Sequence, residues 1–404
     1  MGTKWRVVLA FAAAGAVTLT GCSAATHGAA NVPARSMAVA PSASAPSAPG
    51  TPVSAPATAL TGAPVSVPAG VKSRPVAGTS NAIAGGAVAV VSVALPEAHR
   101  PPALTLGVYA GPDSKGVVGA QRFGALTGAQ PGGVLDFGAT DRWSNIAAPS
   151  WLIAPHATSS ARFEYSMPML PDGKQYTLAA CAAGTYNTYW RAAATNLVAH
   201  HLANTIVRPG WEFNGDWYHW AAKDNVAGYI GCFRTIVTTM RGVAGQHFAF
   251  DWNPTLGKNA FPAELAYPGD AYVDYIGVDI YDSSWAHYPA AAAGLAAARA
   301  AAWNDDLNGD HGLAFWSAFA RSHTKPMAIT EWGVVQLSNG RGGGDDPAFV
   351  DHMFDFMTDP ANNVAYAHYF NTASAAGNHT LTGATKFPKA AAEYRRRVLA
   401  LAAS

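Results

Sequence analysis

The chain has 404 residues, half of them hydrophobic and only 13% charged, with a formal net charge of +1. That length allows a large core, as one barrel of about 250 residues or as two smaller domains. The near-neutral balance and the lack of a long Lys/Arg run leave nothing to neutralise a polyanion, which argues against nucleic acid as a partner. Aromatic residues are abundant, with 12 Trp and 15 Tyr, and many stand beside Gly, Asn and Asp rather than inside apolar runs. Such placement suits a surface that stacks on a flat ligand.

The N-terminus reads as an export signal: Lys4 and Arg6 precede a short apolar stretch from Val7 to Val17, too short for a comfortable membrane span. It ends in Leu19-Thr20-Gly21-Cys22, which resembles the lipobox of bacterial lipoproteins. Residues 1–21 are therefore expected to be a lipoprotein signal peptide, with Cys22 lipidated and the protein held outside the cytoplasm. An ordinary signal peptide cut near Ala24 or Ala25 is the alternative. With Cys22 used in this way, Cys181 and Cys232 remain; they either pair across two neighbouring helical segments or stay as buried thiols.

From residue 22 to about residue 100 the composition is dominated by Ala, Pro and Ser, as in Pro41-Ser-Ala-Ser-Ala-Pro-Ser-Ala-Pro-Gly50. Too few large apolar groups are present to offset chain entropy, and a disordered tether is expected. The stretch Ala87 to Leu95 reads as a strand or as more linker, and the folded domain is placed at residues 101–404.

Beyond that point short β-rich runs alternate with helical stretches, the pattern of parallel α/β architecture. The runs are Leu104–Tyr109, Gly133–Phe137, Trp151–Ile153, Arg162–Tyr165, Thr205–Arg208, His247–Phe250, Tyr272–Val278, Pro326–Thr330 and Val364–His368, one more than a (β/α)8 TIM barrel needs. Helices are expected at Asn187–Asn204, Val226–Gly242, Leu313–Ser322 and Pro347–Met357. Several runs end in an acid with an aromatic: Asp136-Phe137, Glu212-Phe213-Asn214, Asp251-Trp252-Asn253, Asp279-Ile280-Tyr281 and Glu331-Trp332. Barrel enzymes carry their chemistry at the C-terminal strand ends. A doubly wound sheet would place a Gly-rich phosphate turn after its first strand, and none is present.

Two of these clusters stand out. Arg208-Pro-Gly-Trp-Glu-Phe-Asn-Gly-Asp-Trp-Tyr-His-Trp220 sets one carboxyl just beyond an apolar strand among three Trp. Pro326-Met-Ala-Ile-Thr-Glu-Trp-Gly333 repeats the arrangement roughly three βα units later, which makes the two strands the fourth and the seventh. Glycoside hydrolysis needs two carboxyls flanking the scissile bond, one protonated to assist departure and one as nucleophile or base. Trp211, Phe213 and Trp217 supply the apolar surroundings that would keep the acid protonated.

Here the sequence resembles glycoside hydrolase family 26, whose best-known members are β-mannanases. The resemblance runs over most of residues 103–400 and is carried by Trp-Glu-Phe-Asn-Gly-Asp-Trp-Tyr at 211–218, Asp-Trp-Asn-Pro at 251–254, Tyr-Ile-Gly-Val-Asp-Ile-Tyr-Asp at 275–282 and Thr-Glu-Trp-Gly at 330–333. It implies a (β/α)8 barrel, a retaining mechanism with Glu212 as acid/base and Glu331 as nucleophile, and Tyr281 as a hydrogen-bond donor to Glu331. The residue before the acid/base is usually His in the family and is Trp211 here, which bears on the substrate rather than on the machinery. Mannan, mixed-linkage β-glucan, β-1,3-xylan and a bacterial exopolysaccharide all remain open as substrate.

Core packing is the alternative reading for Trp143, Trp217, Trp220, Trp252, Trp285 and Trp332. Trp217, Trp252 and Trp332, which flank the proposed acids, are expected to be sugar platforms, with Trp143 and Asp141 as weaker candidates. Asn214 either holds a substrate hydroxyl or fixes its loop. Asp306-Leu-Asn-Gly-Asp310 begins like a calcium loop, but His311 and Ser317 occupy positions that need Gly and Glu. His200 and His201 are adjacent and point in different directions, which argues against a metal pair there, and no metal or other cofactor is expected elsewhere. The absence of His-Glu-x-x-His and Gly-x-Ser-x-Gly removes the zinc-protease and serine-hydrolase readings carried by those motifs. The expected protein is a monomeric, lipid-anchored, extracytoplasmic glycoside hydrolase acting on a polysaccharide. A non-catalytic carbohydrate-binding barrel and an exopolysaccharide-remodelling transglycosylase are the alternatives.

Overall fold

Eight of the apolar runs are strands, and together they close a ring. The computed structural model describes residues 104–257, 259–284, 286–289, 293–374 and 377–403. The expected signal peptide, Cys22, the linker and Trp285 lie outside the described residues. Strands β1 (Thr105–Tyr109), β2 (Gly133–Phe137), β3 (Arg162–Met167), β4 (Ile206–Pro209), β5 (Ala249–Trp252), β6 (Tyr275–Tyr281), β7 (Met327–Gly333) and β8 (Val364–Phe370) follow one another in spatial order as in sequence. All neighbours are parallel, and β8 returns to β1 through pairs such as Gly107 with His368. This is the (β/α)8 barrel expected from the alternation of elements, with the acid-bearing runs at strands four and seven.

The ninth run, Trp151–Ile153, is not a strand. It lies in the short helix Ser150–Ile153, where Leu152 and Ile153 are fully buried. Three apolar residues in a row fit either element, so periodicity had nothing to work on.

The helices are α1 (Asp113–Thr127), α2 (Trp143–Ala147), α3 (Ser150–Ile153), α4 (Leu178–Ala182), α5 (Asn187–Ala199), α6 (Val226–Arg241), α7 (Leu295–Asn308), α8 (Leu313–Ser322), α9 (Pro347–Thr358) and α10 (Pro388–Ala403). Side-chain caps mark some of their starts. Asn225 caps α6 by accepting the Gly228 N–H, and Asp346 caps α9 by accepting from Ala348 and Phe349 ahead of Pro347 in the first turn. In α6 the buried set Tyr229, Cys232, Phe233, Ile236, Val237 and Met240 recurs every three or four residues, the stripe that seats a helix on a sheet. Cys232 on that stripe forms a disulfide with Cys181 of α4, across 51 residues of sequence. Closing a loop of that length stabilises the fold by about 4 kcal/mol in the chain-entropy model.

The barrel interior departs from the branched apolar filling usual for this architecture. Ser166 of β3, Arg208 of β4, Asn253 after β5 and Asp279 of β6 converge there, all buried and joined by hydrogen bonds. Asp251 and Thr330 also lie in the interior, in room left by Gly277, where a Cβ would come within 2.4 Å of both Asp251 carboxyl oxygens and of Thr330 Oγ1.

Candidate active site

Beyond Pro209 the chain turns sharply. Gly210 has φ +59° and Glu212 has φ +51°, the left-handed region that glycine enters freely and that costs a larger residue on the order of 1–3 kcal/mol. The strained Glu212 is pinned by its N–H donating to Asn253 O at 2.8 Å and by Gly215 N–H donating to its carbonyl at 3.0 Å. Its side chain is nearly buried, and the Trp217 indole N–H donates to Oε2 at 3.1 Å. Burial, and then the negative charge of Glu331, push the Glu212 pKa up from 4.5 to about 8, against the opposing pull of Arg208, Trp217 and Thr255. Glu212 is thus a proton-bearing acid at neutral pH.

Glu331 lies across the barrel in β7, in a different environment. Arg208 Nη2 donates to Oε1 and the Tyr281 hydroxyl donates to Oε2, each at 2.5 Å. Burial and the nearby carboxylates push the Tyr281 phenol well above the ordinary tyrosine range, so it stays a donor. Simple alternation would send Thr330 and Glu331 to opposite faces of β7. A register shift between Ile329 and Trp332 lets both reach the interior, Thr330 to Asp251 and Glu331 to Arg208.

Arg208 ties these parts together. Its guanidinium donates to Ser166, Asn253, Asp279 and Glu331 and sits 5.2 Å from the Phe137 ring centroid and 5.7 Å from that of Trp211. A chain of aromatic contacts runs on from these two rings: Trp211 to Phe137, Phe137 to Tyr109, Tyr109 to Phe370 and Phe370 to Tyr281. Two carboxyls at one mouth, one protonated and one held by two donors, flanked by aromatic faces, form an arrangement suited to acid-assisted displacement at a sugar carbon.

The remaining sequence candidates separate into two groups. Trp211 packs its edge on Phe137 and donates its indole N–H to Tyr218, so it walls the site. Half-buried Trp217 touches Glu212 and keeps an exposed portion at the mouth. Asn214 is fully buried and bonds Thr255 and Gly257, so it fixes its loop rather than holding a ligand.

Trp252, Trp332 and Trp143 are corrections to the expected platforms. Trp252 is fully buried against Phe213, Tyr267, Trp316 and Phe319, and Trp332 against Phe354, Tyr369 and Tyr394. Both occupy the layer between strands and helices. Trp143 is packed under Tyr189, with ring centroids 4.5 Å apart, and against Trp190. Trp220 is also core, its indole bonded to Trp211 O. Asp141 pairs at the surface with Arg142. Among the described residues no group of three or more His, Cys, Asp or Glu is arranged to hold a metal ion.

Sequence reasoning assigned no site role to Arg208, Ser166 or Tyr109, and it singled out Phe137, Asn253 and Asp279 only as members of strand-end clusters. A signal for Arg208 was present: a cation ending the apolar run Thr205–Arg208 needs a buried anion.

A model of glycosyl hydrolase family 26 matches residues 151–300, a stretch that contains Glu212, Arg208 and Tyr281 and stops short of Glu331. The mannan endo-1,4-beta-mannosidase of Bifidobacterium adolescentis is 27% identical over 210 residues, which make up 49% of this chain and 19% of that protein. Endoglucanase H of Acetivibrio thermocellus is 26% identical over 209 residues, 48% of this chain and 20% of that protein. The aligned part thus spans about a fifth of the length of these curated relatives. Among solved structures, that of GH26C from a Muricauda species superposes with a TM-score of 0.53 at 17% identity, covering 74% of this chain and 86% of that one, a likeness of fold.

Proposed function

We infer that this chain is a member of glycosyl hydrolase family 26, a placement supported by the family match and both curated relatives. We propose that it is a retaining glycoside hydrolase acting on a β-linked polysaccharide. The observation that carries the reading is the contrast between two carboxyls at one mouth: Glu212 with its pKa raised to about 8, and Glu331 held by Arg208 and Tyr281.

In this reading Glu212 gives its proton to the leaving glycosidic oxygen while a Glu331 oxygen attacks C1, forming a glycosyl-enzyme ester. Esterification removes the negative charge of Glu331, the second largest influence raising the Glu212 pKa. The acid therefore becomes a better base, and Glu212 takes a proton from water as that water attacks C1 and expels Glu331. Tyr281 and Arg208 then receive the restored carboxylate. Trp217, Tyr109 and Phe137 are the aromatic faces offered to the sugar.

The relatives' names point to mannan and glucan as substrate classes for those proteins. For this chain we assign a β-glycan of that general kind, with Trp211 an apolar, indole-bonded wall beside the acid. The N-terminal pattern adds the proposal that the mature protein begins at lipidated Cys22, outside the cytoplasm. The mass of the mature N-terminal peptide tests it, and a non-lipidated start at residue 24 or 25 would reject it.

The decisive experiment is product release from β-mannan, galactomannan, mixed-linkage glucan, β-1,3-xylan and bacterial exopolysaccharides, run beside Glu331→Ala. Cleavage of one polymer that vanishes in the variant supports the reading. Binding without turnover, unchanged in Glu331→Ala, would favour a carbohydrate-binding barrel.

A further inference from the structure

The phenol that holds Glu331 must itself be held, and the wall behind it comes from the loop that follows β8. His379 of that loop is fully buried, and its imidazole packs on the Tyr281 ring with centroids 4.8 Å apart. Phe370, the last residue of β8, touches both rings, 5.7 Å from that of Tyr281 and 5.3 Å from that of His379. Tyr281 therefore rests in a corner made by two other rings.

His379 is fixed at its backbone and at its side chain. Its N–H donates to Thr372 O at 2.9 Å, its carbonyl accepts from the Tyr369 hydroxyl at 3.0 Å, and Nδ1 lies 3.1 Å from Val334 O. Beside it, Asn378 and Gln336 exchange two backbone hydrogen bonds, of 2.9 and 3.1 Å. Val334 directly follows β7, the strand that carries Glu331. One imidazole thus packs on the end of β6, bonds to the chain just beyond β7 and hangs from the loop after β8.

The hydrogen bond also settles the form of the ring. Val334 O can only accept, so Nδ1 carries the hydrogen. Nε2 is buried and meets no hydrogen-bonding group among the described residues; on its side lies Gly377, where a Cβ would stand 3.3 Å from it. A second N–H there would be a buried donor without an acceptor, so the ring is neutral. Burial pushes the His379 pKa down to about 3, against the raising effect of the Val334 bond, in keeping with this form.

The Tyr281 hydroxyl sits at the far end of its side chain, so a small rotation about χ1 or χ2 moves it more than any other atom of the ring. Its bond to Glu331 Oε2, at 2.5 Å, is at the short end for a hydroxyl on a carboxylate and leaves little room for such movement. A displacement of about 1 Å at a reacting group can cost on the order of 100-fold in rate. We propose that His379 is a positioning residue whose imidazole, anchored on Val334, holds the Tyr281 ring where its phenol meets Glu331. Being fully buried, it acts through Tyr281 and touches no substrate. This role rests on the reading of Glu331 as the nucleophile.

The test uses the full chain and the dinitrophenyl β-glycosides of mannobiose and cellobiose, whose leaving group needs no proton. His379→Ala should lower the single-turnover glycosylation rate of the folded protein by about tenfold, with the half-saturating concentration within about twofold of wild type. His379→Asn keeps an amide that can donate to Val334 O and so spares the loop, but it lacks the ring; its rate should fall as in His379→Ala. Tyr281→Phe should lower the rate at least as far, and His379→Ala added to it should change the rate by less than about twofold, because the same interaction is already lost. Nitrogen NMR of labelled histidine in the unmutated chain should show His379 with hydrogen on Nδ1 and none on Nε2, without titration from about pH 5 to pH 8. Wild-type activity in His379→Asn would reduce the residue to a loop anchor and overturn the proposal. So would losses that multiply in the double variant, or a hydrogen on Nε2. A wild-type chain inactive on both glycosides and on the polymer panel fails the functional reading and the role that rests on it, whereas those three outcomes in an active wild type fail the His379 proposal alone.

Discussion

Arg208 of β4 reaches across the barrel to Glu331 of β7, 123 residues away in sequence, and its Nη2 meets Oε1 at 2.5 Å. The same guanidinium bonds Asp279, whose backbone is in register with Glu331 on the neighbouring strand. One fully buried cation thus serves two carboxyl groups. Arg208→Lys leaves the planar fork unmatched. Arg208→Ala leaves Glu331 without its buried cation and Asp279 without its donor, with an expected loss of about 3–5 kcal/mol in chemical denaturation. A drop in kcat should accompany either change, and an Arg208→Ala protein as stable and active as wild type would contradict this account.

The assigned roles predict different residual activities. Glu331→Ala should lower kcat by about 10⁴-fold or more on every substrate, since no nucleophile remains. Glu212→Ala should be strongly impaired on polymer yet retain turnover of aryl glycosides with good leaving groups, where protonation contributes least. Equal losses on both substrate types for both variants would contradict the division of labour.

The Glu212 pKa of about 8 in the free protein sets the pH response. The protonated form is needed, so kcat/KM should fall along an alkaline limb centred near pH 8. The same shift affects stability. The folded value lies above the ordinary 4.5, so the folded state binds the proton more tightly; the benefit is complete below 4.5 and is lost as pH climbs towards 8. Glu212→Gln removes that loss and should stabilise the protein at pH 7 by on the order of 3 kcal/mol, with little gain at pH 4. Thermal melts at the two pH values check the sign.

Trp217 and Trp332 should respond in opposite ways. Trp217→Phe removes the N–H that favours charged Glu212, so the alkaline limb should move upward while stability changes little. Trp332→Ala opens a cavity in the layer packed on Tyr394 and Phe354 and should cost about 3–5 kcal/mol with KM unchanged in the folded fraction. Raised KM in a stable Trp332→Ala protein would restore that residue as a sugar platform.

Removing the disulfide by Cys181→Ser with Cys232→Ser should lower stability by about 4 kcal/mol, read as a shift of the denaturation midpoint. Activity at low temperature should persist, because the bond ties α4 to α6 and no site residue hangs from it. The reduced wild-type protein should match the double variant.

The alternation of strands and helices, the strand-end acids and the aromatic setting of Glu212 and Glu331 were legible in the sequence, because each is a local pattern a few residues long. The outward face of Trp252 was legible too. Successive strand residues face opposite sides, so Trp252, set between inward Asp251 and Asn253, points out to the helices. Trp332 also points outward, but it lies at the β7 irregularity, where alternation alone does not assign faces. Glu212 lies past the strand end, where alternation no longer governs, and there Trp211 and Trp217 do border the site.

Other features were decided only by the closed barrel. The meeting of Arg208 with Glu331, of His379 with Val334, and of Cys181 with Cys232 joins residues from separate βα units, and no local propensity carries that information. The β7 register shift that brings Thr330 and Glu331 to the same side likewise depends on how β7 meets β8. Sequence set which groups stand at the strand ends; ring closure set which of them share a buried charge, because in a low-dielectric interior partners are chosen by distance through space.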